Sequence, residues 1–120
     1  MAIKRNATAQ IPIEVGIPVD DIVSIEFLFK KEKNPSAPEL LKKRFKKEDL
    51  IIPEGNSNEE GFSMLMTLKP DETFRLEVGK VYMDTQAVLI DGTVPNIPIV
   101  EVDDVTQTLY SEVYKSGSES

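Results

Sequence analysis

Hydrophobic and polar residues alternate along three long segments of this chain, at 22–31, 62–69 and 81–90. Because successive side chains of a strand point to opposite faces of a sheet, this period of two predicts strands with one buried face. The residues that share one face of each strand are Val23, Ile25, Phe27 and Phe29, then Phe62, Met64, Met66 and Leu68, then Val81, Met83, Thr85, Ala87 and Leu89.

A shorter alternation lies near the N-terminus, where Ile11, Ile13 and Val15 are separated by Pro12 and Glu14. Proline has no N–H to donate to a sheet, so a strand that contains it belongs at an edge. Residues 1–18 are therefore predicted to form an edge strand or an N-terminal arm, ahead of a main domain over residues 19–109.

The segment ELLKKRFKKEDLIIP, residues 39–53, fits two patterns. A short helix could begin at Pro38 and pair Leu41 with Phe45 on one face. The apolar stripe of such a helix would be narrow, so we favour a strand over residues 40–46 and another over about 50–52.

Turn residues separate these segments. Pro70 and the acidic residues after it predict a single helical turn. Asp91-Gly92 predicts a type I′ hairpin turn, in which both central residues need positive φ, and a strand over about 96–107 returns from it. Residues 110–120 are predicted to be a C-terminal tail, disordered at its polar end SGSES.

About seven short strands with almost no helix predict an all-β fold, an antiparallel β-sandwich, with a small barrel as the alternative. A chain of 120 residues is long enough for one domain with a single core. No internal repeat interrupts this pattern.

Composition narrows the chemistry. The chain has no cysteine and no histidine, which removes disulfides, thiolate nucleophiles, the usual hydrolase triads and typical zinc sites. Enzymatic activity and cofactors are therefore not expected. The sequence also shows no secretory signal and no apolar run long enough to span a membrane, so synthesis in the cytoplasm and no membrane partner are expected.

Charge is unevenly distributed. Residues 1–50 hold 10 basic and 8 acidic side chains, whereas residues 51–120 hold 4 basic and 13 acidic ones, for a net charge of −7. An overall acidic chain disfavours general nucleic-acid binding, and its asymmetry could orient the protein against a neighbour.

Several short motifs occur in a fixed order along residues 19–105. A strand with alternating aromatics is followed by a Glu-Thr turn, a Gly-x-x-Tyr-x-Asp strand start, an Asp-Gly turn and a proline-containing strand. The residues concerned are Ile25, Phe27, Phe29 and Lys30, then Glu72 and Thr73, then Gly79, Tyr82 and Asp84, then Asp91 and Gly92, then Pro95 and Pro98. This arrangement resembles small phage or prophage structural proteins of Gram-positive hosts, and is similar to immunoglobulin-like tail and baseplate modules.

The resemblance implies an immunoglobulin-like sandwich with a role in the virion or its assembly. Its partners would be other virion proteins or further copies of the chain, and its location the host cytoplasm and then the virion. Two other classes stay open: a stand-alone module that binds carbohydrate or a cation, and a regulator that binds a host protein or nucleic acid.

One basic run is the candidate partner-binding segment. It consists of Lys42, Lys43, Arg44, Lys46 and Lys47 around Phe45. On a strand these charges would divide between two faces, and we interpret them mainly as a solvated positive edge that discourages aggregation. Docking to an acidic protein surface and contact with nucleic acid are the functional alternatives.

Four residues are assigned structural roles. Tyr82, three residues after Gly79, is predicted to form a tyrosine corner, in which the hydroxyl bonds back to the preceding loop. Asp91 and Gly92 are predicted to form the hairpin turn. A calcium site is the alternative for the acidic side chains, which are Asp20, Asp21, Asp84, Asp91, Asp103 and Asp104.

Overall fold

The computed structural model describes residues 2–107, which form eight strands. The strands are β1 (Ile3–Lys4), β2 (Ala9–Val15), β3 (Ile22–Lys30), β4 (Glu39–Lys46), β5 (Ser57–Asn58), β6 (Gly61–Leu68), β7 (Gly79–Leu89) and β8 (Val100–Thr106). The three strands predicted from the long alternations are confirmed as β3, β6 and β7. The predicted tail, residues 110–120, lies outside the described residues.

The strands build two sheets that pack as a sandwich. The larger sheet has the order β1-β8-β7-β3-β4 and the smaller sheet the order β2-β6-β5. Neighbours are antiparallel except β1 and β8, which run parallel with Ile3 opposite Val105. The predicted all-β sandwich is therefore confirmed.

The core lies between the two sheets and follows the predicted alternation closely. Ile25, Phe27 and Phe29 of β3 are fully buried, and Phe27 meets Phe45 of β4 edge-on, with ring centroids 6.0 Å apart. The smaller sheet contributes the inward residues of β2 and β6. These are Ile11, Ile13, Val15, Phe62, Met64, Met66 and Leu68, all buried.

Strand β2 lies at an edge of the smaller sheet and pairs with β6 along its whole length. Of the two alternatives for this segment, an arm or an edge strand, the structure has the edge strand. Pro12 stands opposite Leu65, and its missing N–H costs least where the backbone faces the free edge. With β1 added, the sandwich begins before residue 19.

The segment 39–53 is a strand followed by irregular chain. The favoured strand over 40–46 is confirmed as β4, but the predicted strand over 50–52 is wrong. A 3-10 turn at Lys47–Asp49 ends β4, and Leu50 and Ile52 then pack against the core without joining a sheet.

The predicted helical turn is confirmed as α1 (Pro70–Thr73), and its buried threonine ties it to the N-terminal strands. The Thr73 hydroxyl donates to the Ala7 carbonyl (2.8 Å) and accepts from the Ala7 N–H (3.2 Å). No helix within residues 2–107 is long and apolar enough to cross a membrane.

A glycine at the start of β6 permits the close approach of β2. Gly61 has φ +153°, and a Cβ there would collide with the Val15 carbonyl. We expect Gly61→Ala to lower the free energy of unfolding by about 1–3 kcal/mol, because a side chain is unfavourable at this φ and the backbones must separate. Urea denaturation measures the change.

Gly16 supplies the matched control, since a Cβ on it would meet no atom within 4 Å and its φ is not positive. Gly16→Ala should leave the unfolding midpoint nearly unchanged. An equal loss in the two variants would contradict the proposed close approach.

Candidate functional site

The outer face of the larger sheet is divided into a covered half and an open half. In the covered half Leu28, Lys30 and Asp84 are buried although they point away from the sandwich core. The loops 31–38 and 93–99 lie over them and enclose a groove of about 480 Å³, with Pro35, Gln86 and Ile97 among its walls. The sheet face is therefore partly covered by the chain's own connections.

A buried ion pair lies under these loops. Lys30 Nζ is 2.9 Å from Asp84 Oδ2, and the two side chains are only 4% and 10% exposed. The same ammonium donates to the Pro35 carbonyl at 2.8 Å, which ties the loop between β3 and β4 to the sheet. Because a buried charge needs a partner, each member of the pair requires the other.

The open half carries three exposed apolar side chains, Val23, Val88 and Ile90, which we call the open patch. Val23 and Val88 are about half exposed, and Ile90 is 68% exposed. Val88 of β7 stands opposite Ser24, the neighbour of Val23 on β3, and the Ile90 N–H just beyond β7 donates to the Asp21 carbonyl just before β3.

Val23 was predicted to share a face with Ile25, Phe27 and Phe29, and that prediction is wrong. The register between β3 and β7 shifts between Ile22 and Ser24, where a bulge places Ile22 in the core and turns Val23 outward. An extra residue in one strand reverses the alternation locally, and the sequence pattern alone does not reveal it.

The basic run lies on β4, the edge strand beside the open patch, with Lys47 directly after it, and the charges on the strand divide between its two faces as expected. Most of them have acidic neighbours: Lys43 pairs with Glu72 (2.8 Å), Lys47 with Asp20 (3.0 Å), Arg44 with Glu26 (3.6 Å) and Lys42 with Glu39 (4.0 Å). Among residues 2–107, Lys46 is the member of this run without an ion pair. The partners reduce the net positive charge that this edge offers to a phosphate chain.

Glu72 links the basic edge to α1. One carboxylate oxygen accepts from Lys43 Nζ at 2.8 Å, and the other accepts from the Lys69 N–H at 2.8 Å, which caps the helical turn. Burial raises the pKa of Glu72, but the hydrogen bonds and charges of Lys43 and Lys69 outweigh it and hold the pKa below its ordinary value.

The predicted tyrosine corner is not formed within the described chain. Tyr82 stands on β7 between Lys30 and Glu101, partly buried, and its hydroxyl makes no hydrogen bond to any of residues 2–107. Gly79 has φ +115° and leaves space for the Lys31 ammonium, which donates to the Val78 carbonyl. A tyrosine after a glycine is too general a signal to specify this motif.

Asp91 and Gly92 form a hairpin turn, but the predicted type I′ geometry is wrong. Only Gly92 of the two has positive φ. The Leu89 N–H donates to the Thr93 carbonyl and closes a three-residue loop, within which the Gly92 N–H donates to the Leu89 carbonyl. The Asp91 carboxylate accepts from the Thr93 hydroxyl (2.7 Å) and N–H (3.0 Å), which lowers its pKa. The returning strand then starts at Val100 rather than near residue 96.

The other acidic residues considered for a cation are spread over the molecule. Asp84 faces Lys30 and Asp20 faces Lys47, while Asp103 accepts from the Asp104 N–H at 2.8 Å. In the range 2–107 no three acidic side chains are grouped so as to hold a metal ion.

The buried pair Lys30–Asp84 was missed at the sequence level. A charge at the end of an apolar strand and another inside a strand are the only signs of it, and 54 residues separate them. Pairing across two strands was not predictable without the register of β3 against β7.

Removing one member of this pair should strongly destabilise the fold. We expect Lys30→Met or Asp84→Leu alone to lower the free energy of unfolding by about 3–5 kcal/mol, since each leaves the other charge buried. The double variant should recover most of the loss, because an apolar pair of similar size fills the site. Urea denaturation of all four proteins gives the coupling energy.

The exposed pair Lys47–Asp20 is the control for this cycle, since its members are 42% and 88% exposed. Lys47→Met should cost far less than Lys30→Met. Simple additivity of the Lys30 and Asp84 effects would show that the two groups do not depend on each other.

The lowered pKa of Glu72 makes stability depend on pH. The folded state holds the deprotonated form more strongly than the unfolded chain does, so this stability is present above the ordinary pKa of 4.5 and is lost as pH falls through the lower folded value. The difference in unfolding free energy between wild type and Glu72→Gln should therefore shrink from pH 7 to pH 3. Denaturation curves across that range measure it.

Lys43→Met removes the cation that faces Glu72, and in that background the Glu72→Gln substitution should change the pH profile much less. A difference between wild type and Glu72→Gln that stays constant with pH would contradict the assigned cause.

Comparison of this chain with family models, with curated proteins and with solved structures finds no match in any of the three. The molecule's own geometry therefore carries the functional conclusion. That geometry is a two-sheet β-sandwich whose larger sheet leaves half of its outer face uncovered beside a basic edge.

Proposed function

We propose that this protein is a non-enzymatic structural or assembly module of a phage or prophage, which acts through protein–protein contacts. The single observation that carries the protein contact is the open patch, and the phage assignment rests on the sequence resemblance. Sheet faces that are apolar are normally covered, and an exposed apolar cluster with a charged rim is typical of a contact surface.

The sheet order supports an immunoglobulin-like sandwich of the kind that the sequence resembles. Immunoglobulin-like folds place strands B, E and D in one sheet and strands G, F and C in the other, with C′ added beside C in variable-type domains. The order β2-β6-β5 against β8-β7-β3-β4 follows that arrangement when the strands are lettered along the chain. Such modules bind their partners through sheet faces, edge strands and loops.

The charges around the open patch favour a protein partner over a nucleic acid. The basic edge holds acidic neighbours close to Lys42, Lys43, Arg44 and Lys47, and the whole chain has a net charge of −7. A surface of this kind repels a continuous row of phosphates but complements a folded protein with mixed charges.

Incorporation into particles tests the proposed function. Particles purified from the host that carries the gene should contain the chain in a fixed ratio to the other virion proteins, as measured by quantitative mass spectrometry. Replacing Val88 by lysine should reduce that incorporation at least about tenfold, because a charge at the centre of an apolar contact must be desolvated.

Leu65 provides the matched control, since it is an exposed apolar residue, 55% accessible, on the outer face of the smaller sheet. Leu65→Lys should be incorporated like the wild type. Particles that lack the chain altogether would overturn the proposed function.

A further inference from the structure

The open patch lies between a basic side and an acidic side of the same sheet face. On the β4 side, Lys46 stands opposite Ser24 and has no ion pair among residues 2–107, while Arg44, two residues earlier on the same face, pairs with Glu26 at 3.6 Å. On the β7 side, the hairpin beyond Ile90 carries the exposed carboxylate of Asp91, which Thr93 fixes in place. The patch is thus apolar in the middle and oppositely charged at its two sides.

A surface with this distribution complements itself. If a second copy is laid face to face about a two-fold axis parallel to the strands, the β4 side of each copy lies over the β7 side of the other. Val23 and Ser24 then lie near the axis, Val88 meets the aliphatic stem of the opposite Lys46, and the Lys46 ammonium can reach Asp91 of the second copy. The same contact occurs twice.

We propose that the open patch is the interface of a two-fold symmetric homodimer formed through the outer faces of the larger sheets. The proposal rests on the proposed function and deepens it, because it assigns a second copy of this chain as the partner that covers the patch.

Face-to-face contact is favoured because the sheet edges oppose edge-to-edge pairing. A second β4 against β4 would place rows of lysines opposite one another, and like charges directly across a ladder are unfavourable. The free edge of β2 carries Pro12, which lacks a donor, while β1 and β5 are only two residues long.

The outer face of the smaller sheet is a poorer candidate for the same role. Its outward residues on β2 are Gln10, Pro12 and Glu14, and those on β6 are Ser63, Leu65 and Thr67. Leu65 therefore has Pro12 as its one apolar neighbour on this face among polar residues, and small apolar spots of this kind are normal on a protein surface.

Sedimentation equilibrium of the purified chain tests the homodimer. We expect wild type to approach twice its 13.4 kDa mass as concentration rises from micromolar to millimolar. Val88→Lys and Ile90→Lys should each raise the dissociation constant at least about tenfold. Leu65→Lys should leave it unchanged, and circular dichroism melting curves establish that all three variants are folded.

The contact between Lys46 and Asp91 gives a second test. The effect of one substitution on the dissociation constant should change sign with the background, which a purely structural effect would not do. Asp91→Asn keeps an acceptor for Thr93 but removes the charge, so it should weaken the wild-type dimer. In the Lys46→Glu background the introduced carboxylate of one copy faces and repels Asp91 of the other. There the Asp91→Asn substitution removes that repulsion, so it should strengthen association.

Two results would overturn the homodimer: a wild type that stays monomeric at millimolar concentration, or an Asp91→Asn effect of the same sign in both backgrounds. Neither result touches the proposed function if Val88→Lys is still lost from particles, since the open patch would then serve a different virion protein. Absence of the chain from particles, with a dimer in solution, would reject the virion role and leave the interface standing.

Discussion

The buried contact between Lys30 and Asp84 is the constraint on which the arrangement of the larger sheet depends. Along β7, the pairing with β8 ends at Met83, and Asp84 is the next residue. The ion pair therefore lies where the loop 93–99 replaces β8 as the neighbour of β7. Lys30 holds the other loop through Pro35. The loops 31–38 and 93–99 shield this ion pair from water, and they do not extend over the open patch. The covered part of the outer face thus coincides with the buried ion pair, and the exposed part lies beyond it.

The charged residues of the basic run have two different roles, internal ion pairing and exposure to solvent, which the sequence does not distinguish. Lys43 and Lys47 belong to one basic run, yet Lys43 turns inward to Glu72 of α1 and Lys47 bridges to Asp20 before β3. These contacts fasten connections to strands. Lys46 points outward instead and has no ion pair among residues 2–107, while Arg44 faces outward beside Glu26. Along β4 the period of the strand, rather than the density of charge, turns Lys43 inward and Lys46 outward.

The parts of the fold that could be predicted are those that local periodicity controls. The buried alternation of β6 and the strand β4 follow from side chains that must share one face, and Pro70 with its acidic neighbours specifies α1. The outward position of Val23 and the three-residue form of the turn at Gly92 could not be predicted, because each depends on one residue gained or lost against a partner strand. Register between distant strands also determines that Lys30 meets Asp84. The candidate site depends on these non-local features. Its residues could be identified in the sequence, but their proximity could not be predicted.

The parallel pairing of β1 with β8 has a consequence for the order in which the molecule is assembled. Ile3 stands beside Val105 and the Arg5 N–H donates to the Thr106 carbonyl at 2.8 Å, so nearly the whole described chain separates the two partners. Closing so large a loop has a high entropic cost and is slow. During synthesis on a ribosome, β3, β4 and β7 can pair as they emerge, but Ile3 has no strand beside it until β8 is complete. Within residues 2–107, the strand that leaves the ribosome last is thus the one that brings Ile3 into the core.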